Sequence, residues 1–183
     1  MNVNVTDYIV EYPHAFTDEE CDTMVRIFED NSSSVERLER DRTPQFSQLN
    51  WTALGTMEDY HQSTAQKIRT FFKGYVESRF SIKAFPNDVG FEQLRLKRYS
   101  AAKEDVFSWH VDVGDHASAR RFLAAFVYLN NVEVGGTTEF ENMSVKAEKG
   151  KMVIFPPTWM FPHSGTVPVS NDKYLLSTYL HYM

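Results

Sequence analysis

The chain lacks several features that define common classes of protein. It has a single cysteine, Cys21, so no disulfide can form within the chain. It has no apolar run near the roughly 18 residues that a membrane-spanning helix requires. The segment Met1 to Asp7 carries neither the basic patch nor the apolar stretch of a secretory signal. These absences predict a cytoplasmic protein with no membrane partner.

An excess of positive charge is missing as well. The 25 acidic and 19 basic side chains give a net charge of −6, which disfavours a partner held through a phosphate backbone. Arg37, Arg40 and Arg42 could form a local basic patch, but acidic residues alternate with them. We interpret this segment as the solvated end of a helix and expect no nucleic-acid partner.

The amino-terminal half has the pattern of two helices. Thr17-Asp18-Glu19-Glu20 is a capping box, which predicts a helix to about Asp30. A second helix is expected from about Thr56 to Phe80, because its apolar residues recur at helical spacing. A short strand is expected at Tyr8 to Glu11, whereas Arg42 to Trp51 has no clear period and is interpreted as a loop or an irregular strand. The stripe that the second helix should bury comprises Tyr60, Thr64, Ile68, Phe71, Phe72, Tyr75 and Val76.

After Pro86-Asn87 the sequence changes to the period of a β-strand. Leu94 and Leu96 fall on one face of the next strand. The residues on its other face are Arg95, Lys97 and Tyr99. Further strands are predicted at Val106 to Asp112, Phe122 to Leu129, Thr137 to Phe140, Lys151 to Phe155 and Tyr174 to Tyr182. Gly135-Gly136 is expected to form a tight turn between two of these strands.

Many short strands, some of which carry the candidate metal-binding residues described below, predict a mainly β protein with flanking helices, of the α+β class. The expected fold is a double-stranded β-helix, a cupin-like jelly roll, backed by the amino-terminal helices. The length suits a single domain over residues 1–183. Within it, residues 1–88 are expected to form a helical support region and residues 89–183 a catalytic β-barrel core.

The strand around His110 carries the most specific signal in the sequence. Residues two apart on a strand project from the same face, so His110 and Asp112 can bind one ion. With His163 from a distant strand they form the two-histidine, one-carboxylate set of non-haem Fe(II) oxygenases. The alternatives are a surface pair at His110 and Asp112 and a turn cap at His163. A rival zinc site would combine His110 with Asp115 and His116.

Ordered motifs surround these residues from about Leu94 to the carboxyl terminus. They are Arg98-Tyr99, His110-x-Asp112, Tyr128-Leu129-Asn130, Gly135-Gly136-Thr137-Thr138-x-Phe140, Lys149-Gly150, Phe155-Pro156, His163-Ser164-Gly165, Pro168-Val169 and Lys173-Tyr174. This order resembles the iron(II)- and 2-oxoglutarate-dependent dioxygenases, specifically their prolyl 4-hydroxylase-like branch. The amino-terminal helices are similar to that family only in their general arrangement.

The resemblance implies that His110, Asp112 and His163 are the iron ligands and the catalytic set. It also implies that Lys173 pairs with the distal carboxylate of 2-oxoglutarate, and that Tyr99 donates a hydrogen bond to the same cosubstrate. The cofactors would be Fe(II), 2-oxoglutarate and O2, with ascorbate as a further candidate. The carboxylate of Asp112 favours hydroxylation, since related halogenating enzymes have a small residue in its place.

The implied reaction is hydroxylation of an unactivated C–H bond with release of succinate and CO2. The resemblance favours a prolyl residue of a peptide or protein, or another protein side chain, as the substrate. Hydroxylation of a free amino acid or small metabolite stays open, because no motif encodes the substrate. A non-catalytic cupin module that binds a metal or small molecule also stays open, as does the oligomeric state.

Several other residues have ordinary structural interpretations. Cys21 is interpreted as a small buried hydrophobe on the first helix. The histidines without a motif, His14, His61 and His181, are interpreted as surface or structural side chains. Candidates for the wall of the pocket are Trp109, Phe126, Phe155, Trp159 and Phe161, although core packing explains each of them equally well.

Overall fold

The computed structural model describes residues 4–39, 43–79, 85–86 and 88–183. Its helices are α1 (Asp18–Asp30), α2 (Trp51–Leu54) and α3 (Glu58–Arg79), with 3-10 turns at Val5–Tyr8 and Ser32–Ser34. Its strands are β1 (Val10–Tyr12), β2 (Glu36–Glu39), β3 (Gln45–Asn50), β4 (Val89–Phe91), β5 (Arg95–Tyr99), β6 (Phe107–His110), β7 (Arg121–Tyr128), β8 (Thr138–Phe140), β9 (Met143–Val145), β10 (Met152–Phe155), β11 (His163–Gly165) and β12 (Lys173–Tyr182).

Helix α1 begins where the capping box predicts. The Thr17 hydroxyl accepts a hydrogen bond from the Glu20 amide at 3.2 Å, and the Glu20 carboxylate accepts one from the Thr17 amide at 2.7 Å. This exchange gives partners to two amide groups near the start of the helix that otherwise lack them. The prediction of this helix is confirmed to its last residue, Asp30.

Helix α3 buries the stripe that its sequence predicts. Thr64, Ile68, Phe72, Tyr75 and Val76 are buried, and they belong to the face turned toward the sheet. The predicted end at Phe80 lies outside the described residues. None of the helices in the described ranges is both long and apolar enough to cross a membrane.

Two antiparallel sheets form the predicted jelly roll. The larger sheet has eight strands in the order β1-β10-β7-β12-β5-β3-β2, with β4 paired to β12. The smaller sheet has four strands in the order β6-β11-β8-β9. Strand β7, which is apolar on both faces in sequence, lies between β10 and β12 as a central strand should.

The larger sheet separates two apolar clusters. On one face Leu96 and Leu176 pack with Ile68 and Phe72 of α3. On the other face Tyr99 and the inward residues of β7 and β10 form a second cluster, which also includes Phe140 of the smaller sheet. The alternation predicted for β5 is therefore confirmed, with its leucine side toward the helices and its tyrosine side toward the barrel interior.

The first 50 residues contribute more sheet than their sequence predicts, because β2 and the regular strand β3 join the larger sheet beside the expected β1. The interpretation of Arg37 as part of a solvated helix end is wrong. Arg37 lies in β2, and its guanidinium donates two hydrogen bonds of 2.7 Å to the fully buried Asp105. Asp105 is 68 residues from Arg37 in the chain, so the sequence around Arg37 contains no sign of this ion pair. Arg40 and Arg42 lie outside the described residues.

The strands near the candidate ligands also differ in detail from the prediction. The strand expected at Val106 to Asp112 is confirmed over Phe107–His110, so Asp112 lies just beyond its end. Strand β11 follows a proline-rich segment, and its bounds were not predicted, although His163 was expected to lie on a distant strand. It is held between β6 and β8, so pairing on both sides imposes an extended backbone that the local sequence does not indicate.

Candidate metal centre

Strand pairing brings the two candidate histidines together. His110 ends β6 and His163 begins β11, and these two residues are direct partners in the antiparallel register. His110 Nε2 is 3.5 Å from Asp112 Oδ1, and His163 Nε2 is 3.6 Å from Asp112 Oδ2. One donor atom from each of the three residues lies within 4.8 Å of the others. A single ion can contact three donors at this spacing.

Backbone carbonyls fix the orientation of both rings. His110 Nδ1 donates a hydrogen bond to the Ser108 carbonyl at 2.7 Å, and His163 Nδ1 donates one to the Phe161 carbonyl at 3.2 Å. Because a carbonyl can only accept, Nδ1 carries the proton in each ring and Nε2 keeps its lone pair. Metal-binding histidines are held in this way by a partner on the other ring nitrogen.

The Asp112 carboxylate is buried with one oxygen unsatisfied. Its side chain is 7 % exposed, and Oδ2 has no hydrogen-bond partner among the described residues. Burial acts to raise the pKa of Asp112, but its contacts with the His110 and His163 rings and the charge of Lys97 outweigh burial and lower this pKa to about 2. A buried anionic oxygen without a partner is the position that a metal ion would occupy.

His163 is held neutral by its surroundings. Burial lowers the pKa of its imidazole to about 4, so the ring carries no proton on Nε2 near neutral pH. Phe155 and Phe140 pack against it, with ring centroids 5.0 and 5.6 Å away. His110 stacks on Phe107 with centroids 3.5 Å apart. The neutral imidazole is the form that binds a metal.

Lys173 lies in the same cavity as the candidate ligands, and it is only 1 % exposed. Its Nζ donates to the Gly136 carbonyl at 2.8 Å and lies 4.9 Å from the centroid of the Tyr99 ring. Among the described residues no carboxylate pairs with it. Burial, aided by the charge of Lys97, lowers the pKa of Lys173 to about 7. The arrangement suits a buried anionic group from outside the chain.

The predicted residues and several unpredicted ones line one cavity. Its wall consists of Lys97, Tyr99, Phe107, His110, Asp112, Phe126, Thr138, His163, Gly165, Lys173 and Leu175. Tyr99 lies opposite Lys173 in the register of β5 and β12, and burial raises the pKa of its hydroxyl, so the phenol stays protonated. Lys97 is the most notable residue that sequence reasoning did not assign to the site. Its place on the same strand face as Tyr99 was the available signal.

The glycine turn supports the cavity from outside. Gly135 and Gly136 have φ angles of +72° and +67°, as predicted for a tight turn, and a Cβ on Gly135 would overlap the Val167 carbonyl oxygen. Asn130 fixes the start of β12, because its side chain donates to the Asp172 carbonyl and accepts from the Tyr174 amide, both at 2.8 Å. These contacts place the backbone on either side of Lys173.

The other candidates stand apart from this cavity. Asp115 accepts two hydrogen bonds from Ser118, and within the described ranges no second metal-binding group includes it or His116. Cys21 is fully buried, and burial raises the pKa of its thiol to about 11, so the sulfur is not a reactive thiolate. Of the five candidate wall aromatics, Phe126 lines the cavity, whereas Trp109 and Trp159 are 56 % and 77 % exposed.

Comparison with known proteins agrees with this geometry. Residues 94–181 match the family model of the 2OG-Fe(II) oxygenase superfamily, a range that contains all three candidate ligands and Lys173. No curated protein sequence matches the chain.

Solved structures share the fold at low sequence identity. A viral collagen prolyl hydroxylase from Paramecium bursaria chlorella virus 1, in complex with 2OG, superposes with a TM-score of 0.74 at 20% identity, covering 98% of this chain and 100% of that chain. A Trichoplax adhaerens prolyl hydroxylase, in complex with a hypoxia-inducible factor peptide fragment, gives 0.77 at 13% identity, covering 97% and 84%. SnoN, an alpha-ketoglutarate-dependent epimerase from nogalamycin biosynthesis, gives 0.71 at 13% identity, covering 96% and 78%. Residues 94–181 therefore carry the pattern of the 2OG-Fe(II) oxygenase superfamily, and the chain that contains them is an Fe(II)- and 2-oxoglutarate-dependent dioxygenase.

Proposed function

We propose that the protein hydroxylates an unactivated C–H bond in a peptide or protein, with a prolyl residue as the favoured target. His110, Asp112 and His163 hold Fe(II), Lys173 pairs with the distal carboxylate of 2-oxoglutarate, and Tyr99 hydrogen-bonds to the same cosubstrate. The observation that carries the proposal is the convergence of three metal donors, one of them an unsatisfied buried carboxylate oxygen, in one cavity with Lys173, which has no carboxylate partner among the described residues.

Fe(II) with 2-oxoglutarate and O2 supplies the oxidant for hydroxylation, with release of succinate and CO2. The residues of the chain bind, orient and shield the reactants. The carbonyls of Ser108 and Phe161 hold the two imidazoles with Nε2 toward the metal position. The ammonium group of Lys173 fixes one end of the cosubstrate, and Phe107 and Phe126 exclude water from the wall.

One feature supports a peptide or protein substrate. Two of the structures that share the fold are described as prolyl hydroxylases, and one of these was solved with a peptide bound. Hydroxylation of a free amino acid or small metabolite is the second candidate. Lys97, a second buried cation in the cavity, favours it because a small acidic substrate could pair with this side chain.

The test begins with anaerobic addition of Fe(II) and 2-oxoglutarate, which should produce a visible charge-transfer band. Admission of O2 should then release succinate, and candidate peptides should gain the mass of one oxygen atom in a 2-oxoglutarate-dependent manner. His110→Ala and His163→Ala should lose the band and succinate release, because each removes a metal donor. The effect should exceed about 100-fold.

His116→Ala is the matched control, because this histidine is exposed and lies outside the cavity. It should keep wild-type succinate release. Wild-type turnover in His110→Ala or His163→Ala would contradict the proposed ligands. Absence of both band and succinate in the unmodified protein would instead favour a binding module. Ascorbate dependence and a cytoplasmic location stay predictions, the first tested by adding ascorbate to the same assay.

A further inference from the structure

Lys97 is a second buried lysine in the cavity, and the proposed reaction does not use it. It lies on β5, two residues before Tyr99 and opposite Leu175 of β12. Its side chain lines the cavity together with His110 and Asp112, and the residue is 9 % exposed. It is therefore a cation directed into the site rather than a solvated surface lysine.

Lys97 has no anionic partner of its own. Its Nζ lies 4.9 Å from the centroid of the Phe46 ring, and within the described part of the chain it forms no hydrogen bond or ion pair. A buried ammonium group is normally paired, since leaving it without a counter-charge costs free energy. Asp112 is the acidic group whose charge acts on it, and that carboxylate is assigned to the metal.

The two lysines lie at different levels of the cavity. Lys173 of β12 is opposite Tyr99 of β5. Lys97 is two residues from Tyr99 on the same face of β5, which corresponds to about 7 Å along the strand at the usual rise per residue. The charge of Lys97 acts on Asp112 and His163, and also on Lys173. The charge of Asp112 acts on Lys97, whereas the charge that acts on Lys173 is that of Lys97. Together with its place in the wall that contains His110 and Asp112, this assigns Lys97 to the level of the metal, where the bond to be hydroxylated must be presented.

When Fe(II) and 2-oxoglutarate are bound in the cavity, the positive charge of Lys97 has no negative charge to match it. The two charges of Fe(II) and the single charge of Lys173 match the carboxylate of Asp112 and the two carboxylates of 2-oxoglutarate. Both histidines are neutral ligands. One positive charge at Lys97 is left over, and the described residues offer it no further anion.

We propose that Lys97 binds a carboxylate of the primary substrate, so that the substrate carries this carboxylate near the carbon that is hydroxylated. The inference rests on the proposed function and narrows its substrate class. The carboxylate can come from a free amino acid or from an acidic side chain beside the target residue of a peptide. In either case Lys97 is a specificity-determining residue rather than a ligand of the metal or the cosubstrate.

The test measures binding to the anaerobic complex of the protein with Fe(II) and 2-oxoglutarate, by calorimetry and without turnover. Each standard amino acid is compared with its carboxamide, and acetyl-Glu-Pro-Gly-amide is compared with acetyl-Gln-Pro-Gly-amide. At least one carboxylate probe should bind about tenfold or more tightly than its amide, as a charge-assisted hydrogen bond predicts. A preference among the amino acids identifies a free amino acid as the source, and a preference in the peptide pair identifies an acidic peptide.

Lys97→Met should reduce that preference to within about twofold, and Lys97→Arg should retain it because the charge is kept. Lys146→Met, at an exposed lysine, is the matched control and should bind as wild type does. Lys97→Gln serves as a second neutral variant if thermal unfolding shows that Lys97→Met is not folded.

Three results would overturn the inference: no carboxylate preference in the wild type, a preference that survives in folded Lys97→Met or Lys97→Gln, or a loss of 2-oxoglutarate affinity in these variants as large as that in Lys173→Met. The last result would assign Lys97 to the cosubstrate. None of these three results contradicts the proposed function. The proposed function would fail if the wild-type protein gave neither the visible band nor succinate.

Discussion

Lys173 is the residue whose chemistry depends most directly on its burial. Its ammonium group is enclosed by two tyrosine rings and a backbone carbonyl, and the residues that the structure describes place no carboxylate against it. Burial, with the charge of Lys97, lowers its pKa to about 7. Tyr99 and Tyr128 face it, and burial raises the pKa of both, so neither phenol ionises near neutral pH.

We predict that the affinity for 2-oxoglutarate is flat below about pH 7 and falls above it, toward tenfold per pH unit. The sign follows because binding of the distal carboxylate requires the ammonium form. Above pH 7 the free protein holds a neutral amine, so binding must take up a proton. Calorimetry at several pH values, in buffers of different ionisation enthalpy, measures both the affinity and the proton uptake.

Lys173→Arg is the control, because its guanidinium stays charged and should remove the pH dependence. Burial also lowers the pKa of Lys97, to about 8. The pH dependence of the 2-oxoglutarate affinity should therefore be measured again in Lys97→Met, where the decrease above pH 7 should persist. A slope that disappears in Lys97→Met and remains in Lys173→Arg would contradict the assignment of Lys173.

At the scale of the element, the turn at Gly135-Gly136 couples backbone geometry to the site. Gly135 has a φ of +72° and packs against the backbone of Val167, which leaves no space for a side chain. The next carbonyl, that of Gly136, accepts the hydrogen bond from Lys173. The turn is therefore needed both for the connection between strands and for the position of the lysine.

We predict that Gly135→Ala lowers the free energy of unfolding by more than about 2 kcal/mol, because it combines a left-handed φ with a backbone overlap. Gly55→Ala is the matched control, since Gly55 has a φ of +66° and no atom within 4 Å of the added Cβ. That substitution should cost about 1 kcal/mol. Urea unfolding measures both, and equal losses would show that the overlap at Gly135 is relieved without cost.

Elements with a local signal were predicted, and those defined by distant pairing were not. The capping box specifies the start of α1 through contacts within four residues, so Thr17 and Glu20 are sufficient to predict it. Strand β2 depends on pairing with β3 and on the ion pair between Arg37 and Asp105, which are 68 residues apart. No window of local sequence contains both partners.

At the scale of the whole molecule, the larger sheet separates the main helix-packed core from the cavity of the candidate site. Its helix-covered face holds a cluster that contains Ile68 and Phe72, and its other face holds the cavity with the metal donors. Substitutions on the helix side should therefore change the free energy of unfolding without changing the cavity.

Ile68→Ala should lower the free energy of unfolding by about 2–5 kcal/mol, because the side chain is fully buried in the helix-side cluster. The folded variant should keep wild-type affinity for Fe(II) and 2-oxoglutarate. Gln66→Ala, at an exposed position of the same helix, should change stability by less than about 0.5 kcal/mol. Thermal unfolding and calorimetry measure the two quantities, and a large loss of cosubstrate affinity in Ile68→Ala would contradict the division.

The sequence by itself determined helices α1 and α3, the period of the central strands and the identity of His110, Asp112, His163 and Lys173 as candidates. It could do so because helical spacing, strand alternation and a family motif are all properties of short segments read in order. Only the tertiary structure decided that the Nε2 atoms of both histidines face the carboxylate of Asp112, whose Oδ2 is unsatisfied, and that Lys97 enters the same cavity without a counter-charge among the described residues. These relations arise from register between strands that are far apart in the chain, and burial then sets the charge that each group can hold.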